Sequence, residues 1–295
     1  MRAVREGDVF IPPRSGRAGA LHPAVIAVWA ALIATANLLP AIPMVGSTGT
    51  FNVGAVLVPL AGIFFGPLAG ALCAAIGGVI SQIIAPHGAW LGPATFLIST
   101  VNAFVAGSLA RGRWYVSAAI ILVGYGLWFL LPIGMEAMLF PLIFYSLGLL
   151  AVAIGAFVWR KGGPDLKHPF FRAVGVFTAA YAGFVGAASL ANFAGTMLYK
   201  WPAKMWIGLA FVSPVERAIF SLGAVIIGVP LLIGLPKIGV WVGPSRKQNR
   251  KKKSQKAQAN RNKSGRPYDF CRKVDSRKNG RSSKKALYEF PTISL

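Results

Sequence analysis

Acidic residues are scarce in this sequence, with eight Asp and Glu against 31 Lys and Arg in 295 residues. Between residues 18 and 110 there is no charged side chain of either sign. A soluble domain is about 25% charged, whereas this chain is 13% charged and 55% hydrophobic. An ordinary aqueous fold is therefore excluded, and the bilayer is the solvent.

Other shortages exclude whole classes of chemistry. The two cysteines, Cys73 in an apolar run and Cys271 near the C-terminus, form neither a disulfide framework nor a thiolate metal site. His22, His87 and His168 are scattered without metal-ligand spacing, and neither a Gly-x-Ser-x-Gly elbow nor a Gly-x-x-x-x-Gly-Lys-Ser/Thr loop occurs. Asp165 is the only Asp between Asp8 and the last fifty residues, so paired aspartates for a magnesium diphosphate site are missing. The expectation is a protein that is not an enzyme and requires no metal or cofactor.

What remains is long hydrophobic runs and a basic end. A spanning helix needs about 20 apolar residues, which places spans at 23–42, 67–84, 93–110, 115–131, 137–159, 172–198 and 214–236. Residues 53–65 make a shorter piece, fit for a tilted or re-entrant helix, which Pro59 is expected to bend. With that piece counted, an all-α bundle of about eight passes is predicted, and both termini lie with Arg111, Arg113, Arg160, Lys161, Lys167, Arg172 and Lys237 on one side. The positive-inside rule makes that side cytoplasmic. The N-terminal stretch lacks a compact apolar run followed by a small-residue cleavage site, so the first hydrophobic run is expected to stay as a membrane helix. The division is 1–22, a cytoplasmic segment; 23–237, the membrane domain; and 238–295, a basic tail. Residues 246–295 hold seventeen Lys or Arg against three acids and show no hydrophobic periodicity, so the tail is expected to be disordered. A solvated extension is favoured over binding of lipid headgroups or RNA by charge.

Small and polar residues mark faces. Ala27 with Ala31 and Ala30 with Ala34 are small-x-x-x-small pairs that let another helix approach, either inside the bundle or from a partner. Gly66, Gly70, Ala74 and Gly78 repeat the spacing and are expected to be internal scaffold. Polar residues in a span are costly unless they face protein or water. Thr95, Ser99 and Asn102 share one helix face, as do Ser189, Asn192 and Thr196. Asn37 and Gln82 lie near outer helix ends, and Glu216 belongs to a Ser213-Pro214-x-Glu216 capping box expected to start the last span. Residues 200–212 are then an outer loop. Together these residues predict an outward-opening polar cavity, with Trp128, Tyr199 or Trp201 as aromatic contacts. The competing reading is that the Ser and Thr hydroxyls bond their own helices.

The stretch GTFNVGAVLVPLAGIFFGPLAGALCAAIGGVISQIIAP, followed by GPATFLISTVNAFVAGSLARG, resembles the second to fourth helices of substrate-binding S components of energy-coupling factor (ECF) transporters. SPVERAIFSLGAVIIGVPLLIGLPKIG is similar to the final helix of that family. The resemblance implies a six-helix core, which leaves 115–159 as an extra helix pair, and a membrane subunit that captures a vitamin or similar micronutrient from outside. It implies docking through Ala27, Ala30, Ala31 and Ala34 to a transmembrane coupling protein driven by two cytoplasmic ATPases. The substrate-binding candidates are Asn37, Gln82, Thr95, Ser99, Asn102, Ser189, Asn192, Thr196, Trp201 and Glu216. The expected partners are those subunits, a small-molecule ligand and membrane lipid, with nucleic acid disfavoured. Two other classes stay open: a stand-alone secondary transporter, and a membrane enzyme or assembly protein whose basic tail binds lipid or RNA.

Overall fold

The computed structural model describes residues 23–39, 42–43, 50–51, 53–86, 89–161 and 169–235. The basic tail, the N-terminal segment, Cys271, His22, His87, Asp165, Lys167, His168 and Lys237 lie outside the described residues.

Eight α-helices are described: α1 (Pro23–Ala36), α2 (Leu57–Phe65), α3 (Pro67–Ile84), α4 (Thr95–Ala110), α5 (Trp114–Trp128), α6 (Leu139–Lys161), α7 (Pro169–Tyr199) and α8 (Ala203–Gly234). Between α1 and α2, β1 (Ile42–Pro43) pairs antiparallel with β2 (Thr50–Phe51), and a 3₁₀ turn over Val53–Val56 leads into α2. Five helices are long and apolar enough to cross a membrane, namely α3, α4 with its preceding turn, α6, α7 and α8. Leu68, Ile83, Leu130 and Ile226 are each at least 70% exposed, which water would penalise and lipid accepts. The protein is a polytopic membrane helix bundle.

Several expected boundaries shift. The first span stops at Ala36 rather than residue 42. Its 14 residues rise about 21 Å, short of a hydrocarbon core of about 30 Å. Pro59 does not bend the short piece, because it falls in the first turn of α2, where a missing N–H costs no helical bond. The expected capping box does not start the last span. Helix α8 begins at Ala203 and runs through Ser213 and Pro214 without a break. Residues 203–212 are therefore helix, not loop, and Ser213 is buried inside it. Proline inside a spanning helix is tolerated where neighbours cover the freed carbonyl.

Glycine sets the closest packing. Gly66 has φ +91 and ends α2, and Pro67 starts α3 at its first position. A Cβ on Gly62 would fall 1.9 Å from the Ala103 carbonyl oxygen, and one on Gly70 would fall 2.5 Å from the Gly62 Cα. The backbones of α2, α3 and α4 therefore touch, as the small-residue spacing predicted for α3. Polar links tie the outer helices to this core. Ser117 on α5 donates to the Val105 carbonyl at 2.9 Å, and the Trp159 indole on α6 donates to the Gly175 carbonyl at 3.1 Å. Helix α7 is the central post, with every residue from 178 to 189 buried.

The alanine pairs of α1 separate. Ala30 and Ala34 are buried at 1% and 4% exposure, and a Cβ on Gly77 of α3 would meet the Ala30 carbonyl at 2.8 Å. As docking residues these two are corrected: they pack inside the bundle, because α1 leans its Ala30–Ala34 stripe on the glycines of α3. Ala27 and Ala31 stay exposed on another side.

Candidate ligand cavity

The cavity forms at the bundle end opposite Arg111 and Arg113, where the end of α1, the turn before α2, the end of α3, the start of α4 and the middle of α7 and α8 converge. It has a volume of about 170 Å³ and is lined by Asn37, Ala55, Val58, Gly78, Ser81, Gln82, Ala85, Trp90, Thr95, Phe96, Ile98, Ser99, Asn102, Phe184, Ala187, Ala188, Ala191, Asn192 and Arg217. An apolar cavity of about 150 Å³ admits benzene, so this space holds a ring and not only a water molecule.

Of the ten substrate-binding candidates, the structure brings Asn37, Gln82, Thr95, Ser99, Asn102 and Asn192 together around the cavity. Several are held by local bonds. Asn37 donates to the Ser81 hydroxyl at 2.8 Å, and Ser81 donates in turn to the Gly77 carbonyl at 2.7 Å. The Thr95 hydroxyl accepts from the Leu91 N–H and donates to the Gly92 carbonyl, both at 2.9 Å. It thereby fixes the turn that opens α4. Gln82 reaches the same Gly92 carbonyl at 3.4 Å. Asn102 is 5% exposed, and its carboxamide oxygen has no hydrogen-bond partner among the described residues. That oxygen lies against Gly183 of α7, where a Cβ would meet it, so Asn102 borders the cavity with its acceptor turned to the α4–α7 contact.

Four candidates do not line the cavity. The Ser189 hydroxyl donates to the Gly186 carbonyl at 2.9 Å and packs against Gly124 of α5. Thr196 is buried elsewhere on α7. Ser189 faces another helix because α7 is covered all round from residue 178 to 189. Trp201 stacks between Trp90 and Tyr199, with centroids 5.9 and 5.4 Å away, so it reaches the cavity only through Trp90. The Tyr199 hydroxyl also donates to the Trp90 carbonyl. Glu216 neither caps a helix start nor lines the cavity, since it lies mid-helix and pairs with Arg217 at 3.0 Å. Trp128 is fully buried against Phe140 and Trp206, 5.2 and 4.9 Å away, in an aromatic cluster behind the cavity, and does not line it.

The residue that the sequence reading passed over is Arg217. It is 5% exposed, lines the cavity, and sets its guanidinium 5.9 Å from the Phe144 ring centroid. A charged side chain in mid-span is expensive and marks a functional site by default. That signal is legible in the sequence, beside the capping pattern that Glu216 completes. Trp90, Phe96, Phe184 and Ser81 were missed as well, because a lone aromatic or serine carries no positional signal in an apolar chain.

Residues 21–130 match the profile of a family described as the ECF-type riboflavin transporter, S component. That stretch, little more than a third of the chain, is similar to S components of ECF transporters. A protein of Methanocaldococcus jannaschii described only as uncharacterized is 29% identical over 111 residues, which cover 38% of this chain and 37% of that protein. The chain thus aligns with little more than a third of the curated relative it matches. No solved structure matches. The S-component match runs from α1 through the end of α5. Helix α5, assigned from the sequence to an extra pair, therefore belongs to the matched segment. Asn37, Gln82, Thr95, Ser99 and Asn102 fall within the match, whereas Asn192 and Arg217 lie beyond it. Among the described residues no group of three or more His, Cys, Asp or Glu gathers as for a metal ion.

Proposed function

We propose that the chain is the substrate-capture subunit of an ECF-type importer for a vitamin or related micronutrient, holding its ligand in the cavity at the outer end of the bundle. The observation that carries this reading is Arg217. A buried cation standing in a lining of amides, hydroxyls and aromatic rings supplies one strong anchor and several neutral hydrogen-bond partners, the pattern of a specific small-molecule site. Trp90, Phe96 and Phe184 offer ring faces, so a flat ring with a hydrogen-bonding edge is the ligand class that this lining suits. Riboflavin, named in the description of the matching family, is the first compound to test. At about 170 Å³ the cavity is smaller than the roughly 300–1,000 Å³ of pockets that enclose drug-sized ligands. Entry of such a ligand requires the mouth to widen, and the Trp90–Trp201 stack is the element standing there.

Energy for uptake comes, in this reading, from a transmembrane coupling protein and two separate ATPases. With Ala30 and Ala34 buried, docking falls to the exposed Ala27 and Ala31, beside Val28 and Leu32, which are 62% and 45% exposed. The test is mass spectrometry of small molecules that copurify with the chain, with Arg217→Met as the control. A vitamin-class molecule present with the wild type and lost with the variant supports the reading. Uptake by the purified chain alone in liposomes, driven by an ion gradient, would replace it with a secondary transporter.

A further inference from the structure

A second hollow lies at the opposite end of the bundle, between α5 and α6. It has a volume of about 530 Å³, with Trp114 and Ala118 on one wall and Leu149, Ala153, Ala156 and Arg160 on the other. The gap follows from the packing. Ser117 anchors α5 to α4 and Trp159 anchors α6 to α7, so each helix is held by a third and short alanine side chains leave the space between them unfilled. From Leu149 to Arg160 the helix rises about 16 Å, close to half of a hydrocarbon core of about 30 Å. The α6 wall thus runs about one leaflet deep, and the α5 wall, Trp114 to Ala118, covers the Arg160 end of it. Its polar end carries Arg160 with Trp114 of α5, and no acidic residue lines it. The positive-inside rule puts that end at the cytoplasmic surface, where anionic headgroups lie, and tryptophan suits the same level.

We propose that this groove is a binding site for an anionic phospholipid of the cytoplasmic leaflet, one acyl chain lying along Ala118, Ala153 and Ala156 with the phosphate at Arg160. The site is separate from the ligand cavity, and its test does not depend on what that cavity binds.

The experiment uses the full chain in detergent micelles, exposed to phosphatidylglycerol and phosphatidylcholine of identical acyl chains, with bound lipids counted by native mass spectrometry. The wild type is expected to retain one phosphatidylglycerol in preference to phosphatidylcholine. Arg160→Gln should lower that retention about fivefold, the effect of one basic residue near an anionic headgroup, and leave phosphatidylcholine unchanged. Ala153→Phe, which fills the groove from an exposed position, should remove the retained lipid while circular dichroism shows native helix content; where that variant does not fold, Arg160→Gln decides alone. Equal retention of the two lipids by the wild type, or unchanged phosphatidylglycerol retention in Arg160→Gln, overturns the proposal. A dimer that Ala153→Phe dissociates also overturns it, assigning the groove to a second copy of this chain.

Discussion

The two walls of the ligand cavity differ in kind. On the wall from α1 to α4, Asn37, Ser81, Gln82 and Thr95 spend hydrogen bonds on one another or on nearby carbonyls. They fix where three helix ends meet, and this wall lies inside the S-component match. The wall from α7 and α8 sets Ala187, Ala188 and Ala191 around Phe184, Asn192 and the Arg217 cation, and lies outside the match. Small side chains make room there, and the charged group stands at its edge. Under the proposed function, the contrast gives shape to the first wall and ligand recognition to the second.

The strongest way to break this comparison is at Arg217. Arg217→Met should abolish ligand retention and lower stability by about 3–5 kcal/mol, since it leaves Glu216 without its paired cation in a largely buried site. Denaturant or thermal unfolding in micelles reads the second effect, and Glu216→Gln in the same background should recover part of the stability but none of the binding. A variant that binds as well as wild type would end the recognition role of α8.

Gly62→Leu tests the first wall as scaffold. A side chain placed 1.9 Å from the Ala103 carbonyl forces α2 and α4 apart, and a loss of roughly 3 kcal/mol or more is expected from overpacking, seen as a lowered melting temperature. If stability holds but ligand is lost, the division between the walls fails.

On α1, the pair Ala30→Leu and Ala34→Leu should destabilise the isolated chain by roughly 1–3 kcal/mol through overpacking against α3. Ala27→Leu with Ala31→Leu should leave its melting temperature unchanged and reduce copurification with a coupling protein. Equal effects of the two pairs on that complex would return docking to the whole alanine face.

The smallest effect is expected at Thr95→Val. Loss of the hydroxyl that accepts from the Leu91 N–H should cost about 1 kcal/mol, as for a typical intramolecular hydrogen bond. Ligand affinity should change less than in Asn192→Ala, which removes a cavity-lining amide from the second wall. Titration of ligand into both variants compares them; the reverse order would shift recognition toward α4.

Legibility in the sequence followed how many sides of a helix are covered. Helix α4 has a partly open face at its outer end, so the spacing of Thr95, Ser99 and Asn102 picked out the residues that line the cavity. Helix α7 carries the same spacing in Ser189, Asn192 and Thr196, yet only Asn192 lines it. Where α7 has neighbours all around, from residue 178 to 189, periodicity cannot say which neighbour a polar residue meets. The start of α8 misled for a local reason. Ser213-Pro214-x-Glu216 has the composition of a helix start, but whether a proline begins a helix or sits inside one depends on what covers the freed carbonyl. The alanine pairs of α1 posed the same problem, because both satisfy the spacing for close approach and only the position of the α3 glycines selects Ala30 and Ala34.

By itself, the sequence determined that this protein lives in a bilayer as a bundle of about eight helices, with its basic loops on one side. Apolar run length, charge scarcity and charge asymmetry depend on chain composition alone. The tertiary structure decided which small residues touch, which polar residues share a cavity, and that Arg217 rather than Glu216 faces it. Those are relations between helices distant in sequence, set by rotations of a few tens of degrees about each axis, and no single helix carries the information that fixes them.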